Sequence, residues 1–342
     1  MLPIAIVSIA STPVLIASAI ISKTFSLITG IKPVDVSRES FITEMSNYVN
    51  ESPTLSSEWV CGGKIHVLCR HATVFSNYPP IVLIHGTRSS SFHYAKFMQS
   101  FPNIYDVYCI DLPGWGVSEC PLFHLGTTDL SRCYGYYGNI IMSALAEVYP
   151  SKDAKFVFVG HSFGALLLMK AIVLDYIPQH KIKRCILTCM PGLHCQTAKY
   201  HFIGSLFISG LMESIFKQWW SRHLFSAFLY RKKTQLQTLK HMCSFIPNGI
   251  GYKLLGNHMS FCGFLKVDWT NPVRNELLHI AKYKCTVRLI GGTHDSITNI
   301  QHMKNISTIP CYELNGGHAL FAEKELFPRL LKIINKEHKL QQ

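Results

Sequence analysis

Short apolar runs and longer amphipathic stretches alternate through most of this chain. "EWVCGGKIHVLCRHATVF" has two β-rich runs around Gly62-Gly63 and predicts a hairpin. "PPIVLIHG", "YDVYCIDLPGWG", "AKFVFVG", "IKRCILTCMPG" and "CTVRLIGG" are brief runs of branched and aromatic residues, each closed by glycine, proline or both. "STIPCYELNGG" reads as a last strand, weakened at its start by Pro310. Between them, Tyr134 to Val148 and Phe163 to about Tyr176 fit helices, and Leu and Phe at helical spacing predict a closing helix from His318 to about Asn335. Strands that are apolar on both faces and alternate with helices predict an α/β fold around a mostly parallel sheet. In such sheets ligands bind beyond the carboxyl ends of the strands.

Two regions break the alternation. Residues 192–270 have no clear strand and are rich in aromatics, as in "FKQWWSRHLFSAFLYRKK", which predicts a helical insert serving as a lid. Residues 1–22 contain no charged side chain, enough to cross a hydrocarbon core of about 30 Å as a helix. Ala17-Ser18-Ala19 also resembles a signal-peptide cleavage site, but the segment has no leading Lys or Arg, so an uncleaved membrane anchor is the favoured reading and secretion the alternative. Lys23 and Lys32 follow it and lean the next domain toward the cytosol. The expected organisation is anchor 1–22, linker 23–55 with a short helix, core 56–191, lid 192–270 and core 271–342.

Composition narrows the partners. With 48% hydrophobic and 15% charged residues, the 342-residue chain can bury a large core and is not disordered. A formal charge of +13 favours an acidic surface, and because the basic residues are scattered without an aromatic-basic module, a membrane suits it better than nucleic acid. Of twelve cysteines, several sit in apolar runs and are expected as buried thiols; Cys61 and Cys69 flank a turn and are the one pair placed to meet across a hairpin. No CxxC pair exists to suggest zinc, and no cofactor is implied.

The chemistry centres on "GHSFG", residues 160–164, where a strand gives way to a helix with Ser162 at the apex. A Gly-x-Ser-x-Gly pentapeptide is weak alone, because a plain tight turn explains it equally well. Its setting strengthens it: small residues let strand and helix approach closely, the serine hydroxyl is held out, and the helix start directs N–H groups toward it.

With "LIHGTRSSSF" (83–92), "DLPGWGVS" (111–118), "GGTHD" (291–295) and "GGHALF" (316–321) arranged around it, the chain resembles the α/β-hydrolase superfamily, in the serine branch that carries a cap. The resemblance covers about residues 57–336. It implies Ser162 as nucleophile, His318 as general base and Asp295 as the acid that orients the histidine, in the chain order this fold uses. It also implies an oxyanion hole from the backbone N–H groups of Phe163 and Thr87, with His85 shaping that loop. Taken separately, His318 reads as a helix-start residue and Asp295 as an N-cap for "SITNIQHM". No acid follows the sixth strand in "TCMPG", where some relatives carry theirs, and the "DLPGWGVS" loop reads as structural. An H-x4-D pattern at His124 and Asp129 lies in a polar loop and carries no expectation of acyltransferase chemistry.

Serine at the nucleophile position points away from dehalogenases and epoxide hydrolases of this fold, which use aspartate. The expectation is hydrolysis of a lipid-like carboxylic ester beside a membrane, the lid offering Phe207, Phe216, Trp219, Trp220, Phe225, Phe228 and Tyr230 to an acyl chain. An aminopeptidase or amidase would need acids near its cap, where Glu213 and Asp268 are the main ones. A non-catalytic ligand binder is the third reading.

Overall fold

The computed structural model describes residues 17–28, 38–119, 130–191 and 274–335, apart from positions 18, 25, 88, 284–285, 296, 299, 302–303 and 305–308. Its elements are helix α1 (Arg38–Asn50), strands β1 (Ser56–Val60), β2 (Ile65–Arg70) and β3 (Ile81–Ile84), helix α2 (Ala95–Gln99), β4 (Val107–Ile110), α3 (Leu130–Val148), β5 (Phe156–His161), α4 (Phe163–Val173), β6 (Ile182–Thr188), α5 (Arg274–Ala281), β7 (Thr286–Gly292), β8 (Cys311–Leu314) and α6 (Phe327–Asn335). The eight strands form one sheet in the order β1-β2-β4-β3-β5-β6-β7-β8. Pairing is antiparallel at β1–β2 and β2–β4 and parallel from β4 onward.

The strands read as continuous apolar runs because both faces are covered. In β3, Val82 and Ile84 join one core cluster, while Ile81 and Leu83 join the other. In β5, Phe156 and Phe158 face the first, Val157 and Val159 the second. Helices α3, α4 and α5 contribute to the first layer, and α1, α2 and α6 to the second. Two arginines are drawn in as well: Arg184 on β6 donates to the carbonyl of Ile334 at 2.6 Å, and Arg288 on β7 donates to that of Ile333. Cations near the end of a helix satisfy carbonyls that have no intrahelical partner and complement the dipole.

The ends of the parallel strands are in step. Ile84 pairs with Ile110 and with Gly160, His161 with Thr188, and Thr188 with Ile290. The loops after these strands therefore leave from one end of the sheet. After β3 the chain adds β4 on one side and then β5 on the other, so the β3–β5 junction is the point where strand order reverses.

Several expectations need correction. Cys61 and Cys69 do not face each other: Cys61 lies in the hairpin turn with φ 53°, Cys69 pairs with Ser56, four pairs away from the Val60–Ile65 pair that borders the turn, and both are free thiols. The short helix expected within 23–55 is present as α1, 13 residues long and seated by buried Met45 and Val49. The closing helix starts at Phe327, not His318. Two short 3-10 turns precede it, with Glu323 extended between them because its buried carboxylate accepts the N–H of Gly317 at 2.8 Å. Pro328, in the first turn of α6, needs no N–H partner there. Among the described residues no helix is long and apolar enough to cross a membrane. Most of the expected anchor, the whole lid and the His124–Asp129 pattern lie outside the described residues.

Candidate active site

Strand β5 ends in a bend that the flanking glycines make possible. Ser162 has φ 52° and ψ −121°, a conformation that non-glycine residues rarely adopt. Such geometry costs on the order of 1–3 kcal/mol and persists only when its surroundings enforce it. Its N–H donates to Thr188 O on β6 at 2.8 Å, and its carbonyl accepts the N–H groups of Ala165 and Leu166 in the first turn of α4. A Cβ on Gly164 would sit 2.3 Å from His85 O, and one on Gly160 would sit 2.6 Å from Ala165 Cα. Only glycine lets strand and helix meet so closely around the serine.

Asp295 and His318 arrive from the loops after β7 and β8. Those loops are pressed together at Gly292, where a Cβ would stand 2.4 Å from Gly317 O, and His294 N–H donates to Gly316 O at 3.0 Å. His318 Nδ1 lies 2.8 Å from Asp295 Oδ2, and His318 Nε2 lies 2.9 Å from Ser162 Oγ. With the Nδ1 proton directed at the carboxylate, Nε2 is the lone pair that accepts from the hydroxyl. The other oxygen of Asp295, Oδ1, accepts N–H groups from Ile297 at 2.8 Å and Thr298 at 2.9 Å, and the Thr298 hydroxyl donates to Oδ2. Cap and histidine partner are thus both roles of Asp295. Burial opposes its ionisation, but the bond from His318, its charge and the Thr298 donors outweigh burial and hold the pKa at about 2.

The loop after β3 abuts the nucleophile. A Cβ on Gly86 would meet Ser162 Cβ at 2.9 Å and His161 O at 3.1 Å, so the backbone of Gly86 and the following Thr87 runs beside the serine. Phe163, the first residue of α4, is buried. His85 secures this loop: its Nδ1–H donates to Gly86 O at 2.8 Å, and its Nε2 accepts Leu112 N–H at 3.0 Å. Burial lowers its pKa, consistent with that neutral form. The "DLPGWGVS" loop has its own anchor. Asp111 accepts from Ser91 N–H at 2.5 Å, from Val117 N–H at 3.1 Å and from His66 Nδ1–H at 3.0 Å. His66 Nε2 lies 3.1 Å from Ser57 Oγ, but Ser57 sits within β1, with no bend to present its hydroxyl.

Two residues join the site that the sequence did not single out. His161, just before the serine, donates from Nε2 to the carbonyl of His318 at 2.8 Å, and the two rings stand 5.1 Å apart. Burial, and then the charge of His318, lower its pKa to about 3, so it stays a neutral donor. Cys189, one residue past β6, has φ 46°, and burial followed by the nearby Asp295 charge push its thiol well up. It occupies the place where the sequence offers no acid. Donor atoms of His161, Cys189 and His318 lie within 4.8 Å of one another, but the ring nitrogens of His318 and Nε2 of His161 are already engaged by Ser162, Asp295 and a carbonyl. In sequence, nothing separates His161 from the other histidines; only the fold carries its ring to residue 318.

The model of the alpha/beta hydrolase family matches residues 81–327. No curated protein sequence matches the chain. Among solved structures, the Cif epoxide hydrolase from Acinetobacter nosocomialis is similar at a TM-score of 0.59 and 18% identity, covering 90% of this chain and 99% of that one. A membrane phospholipase A described as a bacterial virulence factor aligns at 0.56 and 17%, covering 96% and 99%. A carboxylesterase from Bacillus subtilis aligns at 0.58 and 11%, covering 88% and 99%. At these identities the likeness establishes the fold.

Proposed function

The chain belongs to the alpha/beta hydrolase family, and from that premise we propose that it is a serine hydrolase cleaving a carboxylic ester, lipid-like in character, through Ser162, His318 and Asp295. The observation that carries the reading is the unbroken line of contacts from Ser162 Oγ through His318 to Asp295, at 2.9 and 2.8 Å, on a strained turn. A neutral serine is a poor nucleophile, and an imidazole oriented by a carboxylate removes that obstacle. Ser162 Oγ attacks the ester carbonyl as its proton passes to His318 Nε2. The tetrahedral oxyanion is received by the N–H groups of Phe163 and Thr87, where one such donor is worth roughly 3 kcal/mol. His318 then protonates the departing alcohol. Water, deprotonated by the same nitrogen, releases the acid from the acyl-enzyme. Asp295, held ionised, stabilises the imidazolium throughout.

Two of the similar structures, a carboxylesterase and a phospholipase, act on esters by name, which supports the bond type. The lipid-like substrate rests on the aromatic-rich stretch 207–230, and attachment to a membrane rests on the uncharged residues 1–22. A fluorophosphonate probe should label the wild type at Ser162 and leave Ser162→Ala unlabelled, with ester hydrolysis falling at least about ten-thousandfold. A folded wild type that takes no label would sink the proposal. Esters of graded acyl length would then define the substrate.

A further inference from the structure

We propose a second, separate site on this molecule: a zinc site made by Glu58, Cys69 and His71 on the antiparallel side of the sheet. No spacing in the sequence suggests it; strand register creates it. Ser56 pairs with Cys69 and Glu58 with Val67, which puts Glu58 and Cys69 on one face as diagonal neighbours. His71 follows one residue after the end of β2. One donor atom from each residue, a carboxylate oxygen, Sγ and a ring nitrogen, lies within 4.8 Å of the other two. His71 Nε2 is 3.1 Å from Glu58 Oε1. Ligands about 2.0–2.3 Å from a tetrahedral zinc are themselves roughly 3.3–3.7 Å apart. Imidazole and carboxylate already stand close to that spacing, and the sulfur has at most about 1.5 Å to travel.

The surroundings support a metal-binding imidazole. His71 Nδ1 is 3.8 Å from Asp106 Oδ1, and that oxygen is itself fixed by the Ala72 N–H at 2.9 Å. That carboxylate is beyond hydrogen-bond distance of the ring, but its negative charge beside Nδ1 favours a cation in the site. The Tyr108 ring stands edge-on to the imidazole at 6.0 Å. Ser56 Oγ, directly across from Cys69, is buried without a hydrogen-bond partner among the described residues and offers an acceptor to a water in the fourth position. Burial and the Glu58 carboxylate keep the Cys69 thiol protonated, so metal binding replaces S–H by S–Zn and releases that proton to solvent. A thiolate, an imidazole and a carboxylate suit Zn2+, whereas Ca2+ and Mg2+ take oxygen ligands.

The site lies away from the serine. The end of β2 pairs with the start of β4, Arg70 against Val107, whereas Ser162 follows the far end of the parallel strands. Bound zinc would staple β1 to β2 within the outer hairpin.

Cobalt tests this on the full chain, since a thiolate ligand gives Co2+ an intense charge-transfer band. Metal-free protein titrated with Co2+ should develop that band to one equivalent, and excess Zn2+ should abolish it. Cys69→Ser should remove the band, and His71→Ala, a change at an exposed position, should weaken binding strongly without disturbing the fold. Asp106→Asn, which removes a nearby negative charge, should weaken it. Cys189→Ser should leave it intact. The proposal is overturned by a folded wild type with no band, by a band that survives in Cys69→Ser or is undiminished in His71→Ala, or by one that disappears in Cys189→Ser. None of these readouts depends on hydrolysis.

Discussion

An unfolded chain protonates its histidines as pH falls through 6.5, whereas the folded molecule keeps His161 neutral down to about pH 3. Between these values the unfolded state binds the extra proton. Stability tied to His161 is therefore complete above pH 6.5 and is lost as pH falls, by up to about 1.4 kcal/mol per pH unit. Asp295, lowered from 3.8 to about 2, adds a second loss further down, beginning below pH 3.8. His161→Gln keeps an N–H donor but cannot titrate. Denaturant melts at pH 4, 5, 6 and 7 should show a shallower decline for that variant, and an unchanged slope would remove His161 from this account. That Ser162, Asp295 and His318 would meet was legible in the sequence because each falls on a motif after a readable strand. His161 was not, since its partner is a carbonyl 157 positions away.

Among the elements, the tightest fit is where β3, β5 and α4 converge. Gly164 faces backbone, since an added Cβ would come within 2.3 Å of His85 O and 2.5 Å of Ile84 O, neither of which can swing aside. Gly86 faces Ser162 Cβ and His161 instead, at 2.9 and 3.1 Å. Gly164→Ala should therefore lower the melting temperature by many degrees, through an overpacking cost of roughly 3 kcal/mol or more. Gly86→Ala should spare most of the stability and instead reduce kcat, by displacing serine and loop from one another. Melting curves beside steady-state kinetics will separate the two, and equal thermal damage with normal kcat in Gly86→Ala would contradict the assignment. Strands and the first helices were readable because their apolar periodicity is local. The start of the closing helix was not. Leu320, Phe321, Leu326 and Leu330 keep a helical rhythm, and the interruption comes from Glu323 bonding back to Gly317.

For the molecule as a whole, alternating strands and helices were enough to indicate the α/β architecture. Strand order was not written in that pattern, because it depends on which side of the sheet each crossover places the next strand. Nor was the outer zinc site, whose three donors meet only through antiparallel register. The proposed membrane anchor is also tested at this scale. Ile20, Ile21, Leu27 and Ile28, in helical residues near the chain start, are exposed, and the uncharged segment 1–22 overlaps them. Alkaline carbonate should leave the protein in the membrane pellet. Release into the supernatant would contradict an integral anchor.

The contact between Ser162 and His318 spans 156 positions, and the carbonyl of Ile334 that receives Arg184 lies 150 positions beyond it. A ribosome adding about 5–20 residues per second needs roughly 8 to 30 seconds to pass from the serine to its base. For that interval the nascent chain carries a serine with no proton acceptor and strands whose last neighbour does not yet exist. On the proposed mechanism the chain gains a competent nucleophile only when its closing strand and helix are in place, because a serine without its base is a poor nucleophile.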